Sequence, residues 1–249
     1  MSATFNIQLP YMKTLMFVLV SLLGVINPKN HPIENGISGA WKTMHPDGEI
    51  LMIVADNYVA ITAYNVAEKK FIYSKGGVLK VNGSTATLKT EFNSQNRDQV
   101  GKEGKVSINI SGNELTTNID GSQKKWQKID SATTALTGCW RINRRSNNGQ
   151  MHEMKLRPRR TLKLLSGSKF QWMAINIETG EFSGTGGGSY TFKDGKYTEH
   201  IEFFSRDSNR VGASLTFDGK VEDGTWFHQG RSSKGDPIDE QWIKLNSGK

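Results

Sequence analysis

Apolar and polar residues alternate along this chain with a period of two, broken by glycine-bearing turns. Val106–Ile110 alternates residue by residue, as a half-buried strand should. Tyr58–Ala63 and Lys169–Ala174 read as strands rich in aromatic and small apolar residues. Asn82-Gly83, Asp120-Gly121, Asp194-Gly195, Asp218-Gly219 and Asp223-Gly224 are pairs that accept the positive φ of tight hairpins. From Asn27 onward no stretch of ten residues carries a helical apolar face. The pattern therefore predicts an all-β protein of consecutive antiparallel hairpins.

The pattern is written twice. Ile37-Ser38-Gly39-Ala40-Trp41-Lys42 returns as Leu136-Thr137-Gly138-Cys139-Trp140-Arg141. One offset places Leu51 over Leu162, Ala63-Tyr64-Asn65-Val66 over Ala174-Ile175-Asn176-Ile177, and Phe71 over Phe182. It also places Gly76-Gly77 over Gly187-Gly188 and Glu91-Phe92 over Glu202-Phe203. The closing segments around Trp126 and Trp242 match as well. An ordered set of this kind indicates a duplicated unit. The expected organisation is a leader and linker over 1–35, a first unit over 36–130, a linker over 131–135, and a second unit over 136–249. So short a linker makes the two units touch.

Met12-Lys13 followed by the apolar run Leu15–Ile26 has the form of a secretory signal and is too short to span a bilayer. The expectation is an exported protein, periplasmic or secreted. Its true start would be Met12, with the first eleven residues an upstream misreading, and the mature chain would carry no stable membrane span. The formal charge of +8 is spread along the chain, without a basic helix, zinc module or aromatic RNA platform, so no nucleic-acid partner is expected. The second unit carries an insertion, Arg144–Arg160, holding Arg144, Arg145, Arg157, Arg159 and Arg160. It reads either as a solvated loop or as a patch for an acidic partner.

A strand opening Gly-x-Trp, a meander of about eight strands, and a closing strand with a basic residue resemble the lipocalin and calycin barrels. The second unit is similar to the small lipocalin-like domains of uncharacterised function in exported bacterial proteins. That likeness rests on Gly138-Cys139-Trp140, Phe170-Gln171-Trp172, Gly187–Thr191, Gly195–Glu199, Trp226–Gly230 and Glu240-Gln241-Trp242. The resemblance implies two consecutive antiparallel meander β-barrels. It implies that the opening tryptophan is met by a cation from the last strand, Trp41 by Lys128 and Trp140 by Lys244. The units are shorter than those of large lipocalins.

Candidate chemistry follows from strand parity. With the aromatic faces inward, the second barrel would enclose Trp172, Tyr190, Tyr197, Glu199, Phe203, Trp226 and His228, an apolar chamber with a carboxylate and an imidazole. Such a lining suits a small apolar or amphipathic ligand. Glu199 and His228 could equally satisfy one another in a filled core, leaving an interaction module that docks a protein partner. A barrel enzyme using the same two residues is a third reading; no catalysis and no cofactor are expected. The histidines (His31, His45, His152, His200, His228) are dispersed and lack metal-ligand spacing. Gly184–Gly188 lacks the helix and the Gly-Lys-Ser/Thr ending of a phosphate loop. Cys139, the single cysteine, can form no internal disulfide and reads as a small buried residue.

Overall fold

The computed structural model describes residue 1 and residues 34–119, 122–131, 133–232 and 234–245. The signal-like segment, His31 and Asp120-Gly121 lie outside the described residues. A single helical turn, Glu34–Ile37, leads into β1 (Gly39–His45), β2 (Gly48–Ala55), β3 (Tyr58–Asn65), β4 (Lys70–Asn82), β5 (Thr85–Asn93), β6 (Glu103–Ser111), β7 (Glu114–Ile119) and β8 (Ser122–Asp130). Neighbours pair antiparallel, and β8 returns to β1 to close a barrel. The second unit comprises β9 (Gly138–Asn147), β10 (Gln150–Glu153), β11 (Arg159–Leu165), β12 (Lys169–Asn176), β13 (Phe182–Lys193), β14 (Lys196–Phe204), β15 (Ser214–Glu222), β16 (Thr225–Arg231) and β17 (Pro237–Lys244). Here β17 pairs with β9, so eight strands close a second barrel and β10 hangs on β9 as a hairpin. The fold is thus all-β, with two closed antiparallel eight-stranded barrels in sequence.

Turn chemistry explains most corners. Asp194-Gly195 and Asp223-Gly224 both take positive φ (51° and 72°, 48° and 73°), the conformation of a two-residue hairpin. Asn148-Gly149 does the same between β9 and β10, so the insertion opens as a hairpin rather than a plain loop. Asp218-Gly219 corrects the sequence reading: it lies inside β15, where Gly219 leaves room for the Phe192 ring. Gly76-Gly77 and Gly187-Gly188 sit within β4 and β13 at register shifts, not in turns.

Three apolar clusters form. One fills the first barrel around Trp41, Met52, Ile61 and Trp126. Another fills the second around Trp140, Phe170, Tyr197, Trp226 and Trp242. The third lies between the barrels and is built from matching positions: Leu51 and Leu162, Ile53 and Leu164, Tyr64 and Ile175, Phe92 and Phe203. Phe71 and Phe182, equivalent under the repeat, stack at 6.3 Å between ring centres. The two copies therefore bury the same face against each other. This explains why β2 is buried along most of its length: one side faces its own barrel and the other faces the second barrel.

Each barrel end is closed alike. Trp41 Nε1 donates to Ile37 O (2.8 Å), and Trp140 Nε1 to Leu136 O (2.7 Å). Lys128 Nζ lies 4.9 Å from the Trp41 ring centre, and Lys244 Nζ 4.5 Å from that of Trp140. Lys244 also pairs with Asp56 of the first barrel at 2.9 Å, and Asp56 accepts from Cys139 N at 3.0 Å. Burial, then the nearby Asp56, pushes the Cys139 thiol well above its ordinary pKa, in keeping with a small buried residue.

Candidate functional site

β11, β14, β16 and β17 each send one lysine, glutamate or histidine into the second barrel: Lys163, Glu199, His228 and Glu240. All four are buried. Lys163 Nζ donates to Glu199 Oε1 at 2.7 Å. The same ammonium lies among aromatic rings, 5.1 Å from the centre of Tyr197, 5.2 Å from Trp226 and 5.4 Å from Trp242. A carboxylate on one side and electron-rich ring faces around the rest replace the water lost on burial. Glu240 accepts from Arg145 Nε (2.9 Å) through Oε1 and from Trp242 Nε1 (2.9 Å) through Oε2.

His228 is the exception. Its ring is 2% exposed and packs 4.3 Å from Phe217 and 5.1 Å from Trp226, centre to centre. Nδ1 stands 3.7 Å from Glu240 Oε2, too far for a hydrogen bond but close enough to feel the carboxylate, and neither ring nitrogen has a hydrogen-bond partner among the described residues. Burial, then the Lys163 charge, lowers its pKa, while Glu240 and Glu199 pull it partly back; the balance favours the neutral ring. The Tyr197 hydroxyl and Trp226 Nε1 beside it are also unpartnered. Unpaired buried polar groups are rare and costly, and three share this cluster.

The repeat shows how specific this is. Met52 pairs with Ile61 in the first barrel as Lys163 pairs with Trp172 in the second. Leu88 pairs with Gly104 as Glu199 pairs with Leu215, and Thr117 with Lys124 as His228 with Glu240. The first barrel thus carries Met52 and Leu88 at the ion-pair positions. Its Thr117, at the histidine position, is spent on Trp126 Nε1 (2.8 Å).

Lys163, Glu199, His228, Glu240 and Trp172 line an open-ended hollow of about 230 Å³, rimmed by Leu215, Ile238, Phe204 and Arg145. Of the residues the sequence places inside, Trp172, Glu199 and His228 reach this hollow. Tyr190, Tyr197 and Trp226 belong instead to the packed part of the barrel. Tyr190 bonds Ser166 O and Thr134 Oγ1, both at 2.7 Å, and burial raises its pKa to about 12. Phe203 is corrected outright: it faces the first barrel, with its ring centre 4.8 Å from that of Tyr64. The pairing Gly187 with Phe203, then Gly188 with Ile201, leaves Glu202 as an extra residue. That bulge reverses parity, so Phe203 points out and Phe204 in. Glu199 is also corrected in its partner, which is Lys163 and not His228.

A larger hollow of about 550 Å³ opens in the first barrel over Tyr73 and Trp126. Its amides are partly consumed by turns: Asn93 Oδ1 accepts from Gln95 N and Asn96 N, and Asn96 Oδ1 from Asp98 N. No buried ionisable group lines it. Among the described residues, no group of three or more His, Cys, Asp or Glu could hold a metal ion, and no helix is long and apolar enough to cross a membrane.

No curated protein matches the chain. Residues 135–249, the second barrel with its lead-in, match the family model described as a domain of unknown function (DUF4488).

Proposed function

We propose that this is an exported, lipocalin-like binding protein that takes a small apolar or amphipathic molecule into the open end of its second barrel and does no chemistry on it. The observation that carries the reading is His228. A buried imidazole with both nitrogens unpartnered, on the wall of a hollow, offers a donor and an acceptor to a guest. Its counterpart in the first barrel, Thr117, already accepts from Trp126 Nε1. The volume of about 230 Å³ suits a small molecule or the end of a longer one. Glu199 is held by Lys163, which argues for a scaffold role over general acid–base work. Export rests on the signal-like run after Met12. The Gly-x-Trp openings and their lysines support the lipocalin likeness.

Calorimetric titration with medium-chain alcohols and acids, a sterol and simple aromatics tests it. Wild type is expected to bind at least one class, and Ile238→Phe, which narrows the hollow at its rim, to lose that binding. Failure of every compound to bind, or equal binding by Ile238→Phe, overturns it.

A further inference from the structure

β9 and β11 pair only from Gly138 and Leu165 to Arg141 and Leu162. Beyond that point β9 runs on with β17 and β10, while β11 extends back to Arg159 against β12 alone. The barrel wall is split there. The split forms a cleft of about 320 Å³ that shares Ile142, Arg145 and Thr161 with the chamber holding His228. Arg141, Arg145, Arg157, Arg159, Arg160 and Arg206 line it together with Lys155, and no lining residue is acidic. Across the chain 32 basic residues accompany 24 acidic ones, so this wall is a local departure from the background.

The guanidiniums are positioned but mostly not neutralised. Arg141 Nη1 donates to Met154 O (3.3 Å), Arg160 Nε to Arg157 O (3.1 Å), and Arg206 Nε to Ser183 O. Carbonyl oxygens fix the forks without cancelling their charge. Of the six, Arg145 is paired with a carboxylate, that of Glu240. Ser183, also in the lining, donates its Oγ to the Glu181 carboxylate. Collecting like charges in a concave wall is unfavourable unless an anion completes it. The first barrel has no equivalent: the repeat places Gly48, Glu49 and Gln95 where Arg159, Arg160 and Arg206 stand, and it lacks the insertion.

We infer that the cleft is an anion site for the head group of the chamber's ligand, making that ligand a small amphipathic anion with a carboxylate, sulfate or phosphate at the arginines and an apolar body against Trp172, Phe204 and Leu215 of the chamber. This rests on the proposed ligand-binding role of the second barrel. A small molecule is favoured over an acidic macromolecule because the cleft shares Ile142, Arg145 and Thr161 with the largely apolar chamber.

Calorimetry on the full chain with 1-octanol, octanoate, octyl sulfate, sodium sulfate and heparin tests it, alongside the variant Arg159→Gln/Arg206→Gln, both positions being exposed. The octyl anions are expected to bind about tenfold or more tightly than octanol, with the advantage shrinking as salt rises from about 0.05 to 0.5 M and collapsing in the double variant. The ratio of octanoate to octyl sulfate distinguishes carboxylate from sulfate recognition. Equal binding of octanol and the anions overturns the inference while leaving the ligand-binding role intact. Sulfate binding that is lost in the double variant, with no octyl compound bound, defeats that role but keeps the anion site. Binding of heparin alone overturns the small-ligand assignment in favour of a macromolecular surface, and no binding at all overturns both.

Discussion

Lys163 Nζ donates to Glu199 Oε1 at 2.7 Å with side chains only 7% and 6% exposed, so the second barrel carries an ion pair in its interior. Removing one partner leaves the other charge buried without compensation. Glu199→Leu alone and Lys163→Met alone should each cost about 3–5 kcal/mol of stability. The double variant installs the first barrel's own Met52 and Leu88 solution and should cost much less than the sum of the two. Urea denaturation of the four proteins in a double-mutant cycle measures this. Additive losses would mean that the pair is not coupled.

Gln171 joins the barrels. It accepts from Thr62 Oγ1 (2.8 Å) and donates to Ser74 Oγ (2.8 Å) and Thr185 Oγ1 (3.0 Å), all four residues being fully buried. Gln171→Leu leaves hydroxyls of both barrels short of partners in an apolar interface. A loss of about 1–3 kcal/mol is expected, with increased amide exchange along β3 and β12 ahead of the rest. A uniform change in exchange would place the effect elsewhere.

The lowered pKa of His228 fixes the sign of a pH effect. The unfolded chain takes up a proton near the ordinary value of about 6.5, which the buried ring resists. Its contribution is therefore fully present above about pH 6.5 and is lost as pH falls toward the lowered folded value. For Glu240, burial pushes the carboxyl up, but His228 and Arg145 outweigh it and hold the group below its ordinary value. That second contribution is present above about pH 4.3 and is lost below it. Urea midpoints should fall between pH 7.5 and 5.5 in the wild type and fall less in His228→Phe, which keeps an aromatic ring beside Phe217 and Trp226. The same slope in both proteins would exclude His228 as the source.

Gly188 has backbone at φ 157° in the β13 bulge, and a Cβ there would run into His200 O and stand 2.7 Å from Glu202 N. Neither backbone atom can move without undoing the pairing of β13 with β14. Gly188→Ala should cost at least about 2–3 kcal/mol, and Gly77→Ala, against Lys89 O in the equivalent bulge, a similar amount. Thermal denaturation of each variant checks this, with Gly104→Ala, which has open space around it and no left-handed backbone, as the mild comparison.

The repeat and its turns were legible because they depend on local chemistry. Gly-x-Trp, Asp-Gly pairs and period-two alternation each report on a few adjacent residues. Asn148-Gly149 carries the same hairpin signal inside a segment whose most visible feature is its charge. Lys163 is illegible for a different reason. In Arg159–Leu165 a lysine between leucines reads as the solvent-facing member of an alternating strand, yet this strand is buried on both sides. Phe203 departs from strand parity because the extra residue at Glu202 breaks the pleat.

The sequence by itself determined a duplicated all-β chain, where each unit opens and closes, and that the second unit carries polar groups the first lacks. Strand periodicity, turn residues and repetition are properties of neighbouring positions, and they survive without coordinates. Tertiary structure decided which neighbour each buried charge meets, which aromatic side chains fill the barrel and which reach a hollow, and that the copies pack through the same face. Those outcomes depend on register, bulges and contacts between residues distant in the chain, as between Lys163 and Glu199 or Gln171 and Ser74.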